Sequence, residues 1–199
     1  TSEDVVLGLY EVFNNFKKKH PDFKFILSPS FRKESSFFDS SKYKNRKEHF
    51  LQQVDEIIEL TEKYPFLKES LCEVDTVGDE REMYRKEHFF ELQPGFRKLQ
   101  YKGFKIRSHH GETWHTLKKG IQSVDNAMNI WHIDTLEHGI SLGINPNRYF
   151  HELYQRVIKQ NLEKTPVQKN STDYKELAEL DWSHKPDILQ KLYDGITLT

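Results

Sequence analysis

Three segments rich in histidine and carboxylate side chains follow one another along this chain. They read VDTVGDE at residues 74–80, FKIRSHHGE at 104–112 and IWHIDTLEHG at 130–139. Neutral imidazole is the commonest zinc ligand, and a zinc with an open coordination position makes hydroxide from water near neutral pH. A carboxylate three residues beyond a ligand, as Glu112 lies beyond His109, is suited to proton transfer. The pattern therefore favours metal-assisted hydrolysis.

The histidines lie where predicted strands end. Residues 104–112 and 130–139 are short apolar runs of strand length, and residues 113–128 between them have helical spacing. This order predicts a βαβ unit, in which chemistry is built at the C-terminal ends of the strands. Because adjacent strands lie only about 5 Å apart, histidines at neighbouring strand ends could converge on one ion.

The rest of the chain alternates in the same way. We expect a helix after Ser2 as N-cap, a strand at 23–27 and a polar loop at 31–48. These are followed by a helix at 47–64, a strand at 71–77, and one or two helical pieces at 81–102 that are interrupted by Pro94-Gly95. After the last histidine motif we expect a helix at 147–161, short helices at 174–180 and 186–193, and a strand beginning at 195–199. Four strands separated by helices predict a parallel sheet. Periodicity alone leaves open whether the sheet is a barrel or open.

Composition narrows the class of protein. The 199 residues are 36% hydrophobic and 31% charged, with a net charge of −1, so the chain lacks the basic field that grips nucleic acid. Cys72 is the only cysteine, which excludes an internal disulfide and a cysteine-based zinc site. The absence of a long apolar run and of a signal peptide favours a cytoplasmic location without a membrane partner. The small apolar share and the start at Thr1 lead us to expect a piece of a longer protein.

The three motifs resemble those of the adenosine deaminase family of metal-dependent hydrolases. The corresponding family segments read DLxGDE, HAGE and GHG, in the same order and at similar spacing. The resemblance covers residues 23–145 and implies part of a TIM-type (β/α)8 barrel with polar insertions, incomplete in this chain. Residues 1–199 would then form a single partial domain, in which 146–199 are a helical extension or insertion.

This resemblance also implies roles for individual residues. His109 would be a ligand of Zn²⁺, and Glu112 would protonate the purine ring nitrogen during attack on the amino-bearing carbon. His138 would orient and deprotonate the attacking water. Gly78 would place a backbone N–H against the purine.

The chain departs from the family pattern at several positions. His110 stands where the family usually has alanine, and no two histidines are separated by one residue, so the His-x-His pair of the first family strand is absent. The Asp-Asp motif of the last family strand is absent too. A four-ligand site is therefore not complete in these residues, and we expect the remaining metal ligands to lie outside this chain.

Within the family, the polar insertions and the continuation ISLGINPNRYFHELY most resemble the deaminase component of the bacterial RADAR antiphage system. This resemblance implies a homo-oligomeric shell, an ATPase partner, and adenine nucleotide or RNA adenosine as substrate.

Three functions compete at this point. The leading hypothesis is zinc-dependent deamination of an adenine nucleoside or nucleotide to the inosine form. The alternatives are a catalytically inactive deaminase-like scaffold that serves in assembly, and another hydrolase on the same barrel. We expect Asp75 and Glu80 either to line the pocket or to orient its loop. Arg32 is interpreted as an ion-pair partner, and His110 as a structural residue.

Overall fold

The fold is an α/β arrangement in which four parallel strands alternate with helices. The computed structural model describes residues 1–165 and 167–179. The strands are β1 (Ser30–Arg32), β2 (Glu73–Val77), β3 (Lys105–His110) and β4 (Thr135–His138). The helices are α1 (Ser2–Lys19), α2 (Arg46–Lys63), α3 (Lys86–Tyr101), α4 (Leu117–Asn126), α5 (Ile140–Gly143), α6 (Pro146–Leu162) and α7 (Thr172–Glu179), with a 3-10 turn at Pro65–Leu67 and a π-helical turn at Ala127–Trp131.

The strands lie side by side in chain order, β1-β2-β3-β4, and every neighbouring pair is parallel. The predicted parallel sheet is thus confirmed. Because all four strands point the same way, their C-terminal ends meet along one edge of the sheet.

The two faces of the sheet differ in chemistry. One face packs on α2 and α3 through a buried apolar cluster that includes Val74, Ile106 and Trp131. The opposite face carries Glu73, Asp75 and other polar side chains from the same strands. Alternation along each strand sends neighbouring residues to opposite faces, so His109 and Asp75 belong to the polar face and His110 to the helical one.

Two strand predictions were displaced from the observed strands. Residues 23–27 form no strand, because Phe23 and Phe25 stack against Phe13 of α1 and against each other. The actual first strand, β1, begins three residues later, at Ser30, and extends into the segment 31–48 that was expected to be a loop. At the other end, Ile130 and Trp131 lie in the π-helical turn, and β4 begins only at Thr135.

Pro94 does not interrupt the helix predicted around it. Helix α3 runs without a break from Lys86 to Tyr101, although an interior proline costs a helix about 3 kcal/mol. Its buried side carries four large apolar residues, and burial of each contributes about 1.5–3 kcal/mol, which outweighs the proline. These residues are Phe89, Leu92, Phe96 and Leu99.

Gly95 in α3 makes close packing possible. A Cβ at this position would lie 2.9 Å from Cδ1 of the buried Phe50 ring and closer still to Cε1. We therefore expect Gly95→Ala to destabilise the protein by about 1–3 kcal/mol through overpacking. Gly8 in α1 is exposed with open space around it, so Gly8→Ala should instead stabilise by about 0.5–1 kcal/mol. Urea unfolding of both variants checks the opposite signs, and equal shifts would contradict this packing argument.

The terminal helices are close to their predicted positions. Helix α1 starts one residue early, because Thr1 rather than Ser2 is the N-cap and its side chain accepts the Asp4 N–H. Helices α6 and α7 form a second, small apolar cluster. The predicted helix at 186–193 and strand at 195–199 lie outside the described residues. Among the described helices, none combines the length and apolarity needed to cross a membrane.

Candidate active site

The C-terminal ends of β2, β3 and β4 bring the three sequence motifs together. His109 and His138 end neighbouring strands, and their ring centroids are 5.2 Å apart. Glu112, in the loop after β3, places its Oε2 3.5 Å from Nε2 of His138. All three side chains are partly exposed, between 28% and 49%. The predicted ligand, acid and base thus share one solvent-accessible surface.

A carboxylate on β2 orients His109. Its Nδ1 lies 3.0 Å from Oδ1 of Asp75 and 3.1 Å from the backbone oxygen of Thr76. Since both neighbours are acceptors, the neutral ring carries its proton on Nδ1 and its lone pair on Nε2. An imidazole whose other nitrogen donates to a carboxylate is the usual arrangement of a metal-binding histidine. Asp75 therefore orients His109.

His138 departs from the regular strand in a way that turns it toward His109. The register pairs it with His110, which belongs to the helical face of the sheet. Its φ is 69°, a left-handed value that costs a non-glycine residue about 1–3 kcal/mol. With this backbone conformation, the His138 ring lies beside the ring of His109, which belongs to the polar face. Such strain concentrates at functional sites.

Gly78 lies at the end of β2 with a φ of 105°. A Cβ here would lie 2.7 Å from Cδ of Glu34. Oε1 of Glu34 also accepts the Asp79 N–H at 3.2 Å, and Glu34 is paired with Arg32, as the sequence interpretation of Arg32 anticipated. The left-handed backbone conformation is thus a sufficient reason for glycine, and a substrate contact there stays a prediction.

Glu80 orients the loop that carries Glu112. Its buried carboxylate accepts three successive backbone N–H groups, from Gly111 at 2.9 Å, Glu112 at 2.5 Å and Thr113 at 2.6 Å. Burial raises the pKa of Glu80, but hydrogen bonds from His110 and from the Thr113 backbone outweigh it and leave the pKa below its usual value. Of the two roles expected for Glu80, the contacts support loop orientation.

Lys33 was not anticipated by the sequence analysis. Its side chain is 1% exposed, with Nζ 3.9 Å from Oε2 of Glu80 and hydrogen-bonded to the backbone oxygen of His109. Burial is the main influence on its pKa, which it lowers, while Glu80 and Asp75 act in the opposite direction. Lys33 lies one position after β1, in a segment that the sequence predicted to be a polar loop, so nothing in the sequence indicated its burial.

His110 is fully buried on the helical side of the sheet. Its Nδ1 lies 2.7 Å from Oγ of Ser123 and 3.3 Å from Glu80 Oε2, and its ring packs near Phe89 and Trp131. Burial lowers the pKa of His110 to about 4, although Glu80 acts in the opposite direction. This placement agrees with a structural role.

The low pKa of His110 makes stability depend on pH. The unfolded chain takes up a proton at this ring near pH 6.5, whereas the folded chain does so only near pH 4. Stability is therefore full above pH 6.5 and falls on acidification, by about 2 kcal/mol at pH 5 from this residue alone. Urea unfolding between pH 7.5 and 5 should show a shallower pH slope for His110→Asn than for the unsubstituted protein. Identical slopes would contradict the assignment.

On the polar face of the sheet, Arg107 forms ion pairs with both neighbouring strands. Arg107 on β3 donates to Glu73 on β2 at 2.9 Å and to Glu137 on β4 at 2.8 Å. The guanidinium thus joins three strands on the face of the sheet that also carries His109. It stabilises the relative position of the strand ends.

The described residues fit a zinc site only in part. His109 offers a lone pair of suitable orientation, but within residues 1–165 and 167–179 no group of three histidine, cysteine or acidic side chains is arranged to hold a metal ion. Any complete site therefore needs ligands beyond those described.

The fold and site define an α/β protein with a histidine and carboxylate cluster at the C-terminal edge of a parallel sheet. Comparison with known proteins adds no family: the chain matches no family profile, no curated protein and no solved structure.

Proposed function

We propose that this chain contributes part of the active site of a zinc-dependent deaminase acting on an adenine nucleoside or nucleotide. The observation that carries the proposal is the convergence of His109 and Glu112, from the second motif, with His138, from the third, at one edge of the sheet. The orientation of His109 by Asp75 and the left-handed conformation of His138 support it further.

Each residue has a distinct task in this proposal. His109 would bind zinc through Nε2, and zinc, when bound, lowers the pKa of a coordinated water so that hydroxide is available near neutral pH. His138 would orient the attacking water and accept its proton. Glu112 donates a proton to the purine ring nitrogen as the carbon–oxygen bond forms at the amino-bearing carbon. The proton held by His138 passes to the amino group, the hydroxyl proton of the adduct returns to Glu112, and the carbon–nitrogen bond breaks. Water and the adenine derivative thus become ammonia and the hypoxanthine derivative.

We also propose that the four strands belong to a TIM-type (β/α)8 barrel. Sequential strand order with the helices α2 and α3 on one face is what consecutive units of such a barrel have, whereas a doubly wound sheet reverses its order at a switch point. The remaining metal ligands would come from other strands of the barrel. A homo-oligomeric shell with an ATPase partner in antiphage defence is part of the same proposal through the motif resemblance. A cytoplasmic location is proposed with it from the composition of the chain.

One observation favours the alternative of an inactive scaffold. Three ligands for one ion are not found together among the described residues, so loss of the remaining ligands elsewhere would leave an assembly domain without chemistry.

A deamination assay on the intact protein separates the two functions. Adenosine, ATP and an adenosine-containing RNA are offered in parallel, and the ultraviolet change from adenine to hypoxanthine and the release of ammonia are followed. The deaminase proposal expects conversion of at least one substrate and bound zinc. A protein without conversion and without zinc would be the scaffold.

A further inference from the structure

We propose that Glu80, anchored by Lys33, is a positioning residue that holds the proposed acid Glu112 in register with His138. The inference rests on the proposed function, because it assigns residues that position the proposed acid of the same site. It concerns two residues, one at the end of β1 and one after β2, that meet beneath the β3–α4 loop.

One carboxylate determines the path of the whole loop. Oε1 of Glu80 accepts the N–H groups of Glu112 and Thr113, and Oε2 accepts that of Gly111. Three successive backbone donors on one side chain leave the loop little freedom to shift. The hydrogen bond from the Glu112 N–H to Glu80 therefore determines where the Glu112 Cα lies.

Lys33, which follows β1, contacts both Glu80 and the backbone of β3. Its ammonium donates to the backbone oxygen of His109 and lies 3.9 Å from Glu80 Oε2. The proposed ligand and the proposed acid are thus linked through one buried ion pair. His110 adds a third contact, with Nδ1 3.3 Å from the same Oε2.

The burial of this pair is what makes it rigid. Glu80 is 3% and Lys33 1% exposed, so neither charge has bulk water as an alternative partner. A buried charge that loses its partner is strongly destabilised, which opposes any motion that separates the pair. Exposed Glu112 has no comparable restraint on its own side chain, so its placement depends on the backbone beneath it.

Kinetics of Glu80→Gln in the intact protein test the positioning role. Glutamine has the same size but turns an N–H₂ toward backbone donors, so the loop should shift. Displacement of a reacting group by about 1 Å can reduce the rate about 100-fold. We expect kcat to fall by that factor with little change in KM, because the acid acts in the transition state. Lys33→Met should have a similar effect, and Lys33→Arg should recover most of kcat by restoring a cation.

Amide hydrogen exchange supplies a readout that does not depend on activity. In Glu80→Gln the amides of Gly111, Glu112 and Thr113 should exchange at least about tenfold faster, since each loses a hydrogen bond to a charged group. Amides of β2 should keep their protection, which shows that the variant is folded. Unchanged exchange at the three loop amides would overturn the inference.

Glu176→Gln is the matched control. Glu176 is also a buried carboxylate that accepts a backbone N–H, from Leu117 at 2.6 Å, together with the Tyr149 hydroxyl at 2.5 Å. Its substitution should leave kcat within about threefold, and a loss equal to that of Glu80→Gln would indicate general destabilisation and overturn positioning. Normal kcat in Glu80→Gln, with active unsubstituted protein, would overturn this inference alone. An inactive unsubstituted protein would overturn the proposed function, while exchange would still report on the loop.

Discussion

His109→Ala is expected to remove both bound zinc and deamination from the intact protein. The ring nitrogen that faces Asp75 and Thr76 is the protonated one, so Nε2 carries the lone pair for the metal, and alanine supplies none. Loss of an outer hydrogen-bond partner of a metal ligand costs about 10–100-fold in affinity or activity, and loss of the ligand itself should exceed that range. Elemental analysis for zinc and the ammonia-release assay measure the two effects on one sample.

Two further variants sharpen this result. Asp75→Asn keeps the ligand but weakens its orientation, so it should retain zinc binding and activity reduced within the 10–100-fold range. His151→Ala replaces an exposed histidine on α6 and should change neither quantity. Full activity in His109→Ala would eliminate the zinc-ligand assignment, whatever the other variants do.

Glu112→Gln should abolish most of the turnover while leaving zinc in place. The amide has the shape of the carboxyl group but cannot deliver a proton to the purine ring nitrogen, and a general acid contributes about 10²–10⁴-fold to a rate. We therefore expect kcat to fall within that range. The combination of retained metal and lost turnover distinguishes this variant from His109→Ala.

Glu82→Gln is the control for Glu112. Glu82 is 70% exposed, lies in the preceding loop and pairs with His115 at 2.7 Å. The Glu82→Gln substitution changes the local charge by the same amount as Glu112→Gln, but Glu82 does not contact His138. The kcat of this variant should therefore be unaffected. Comparable losses in both variants would show that overall charge, and not the acid at Glu112, determines the rate.

The parts of the fold that followed from the sequence are those with strong local patterns. The helix at 47–64 was confirmed as α2 within one residue at each end, and the strand at 71–77 as β2, because their apolar spacing agrees with their final burial. The first strand was wrong because the aromatic run at 23–27 packs on α1 instead. An apolar run indicates that a segment is buried, but it does not indicate which part of the protein the segment packs against.

The π-helical turn at Ala127–Trp131 shows the same limit. Ile130 and Trp131 resemble the start of a strand by composition, yet Trp131 is buried between Phe89 and Phe96 and donates its Nε1–H to the Phe89 backbone oxygen. Contacts with α3 determine its conformation. Propensity over a few residues is weaker than burial of the largest side chain in the core.

The sequence by itself determined the order of strands and helices and the location of His109, Glu112 and His138 at or just after strand ends, because these depend on spacing along the chain. Only the tertiary structure decided that Asp75 orients His109, that His138 turns to the same face, and that Lys33 and Glu80 meet beneath the loop. The physical reason is that a buried charge is tolerated only where its partner is present. For Lys33 that partner lies on a different strand end, which no local pattern in the sequence reveals.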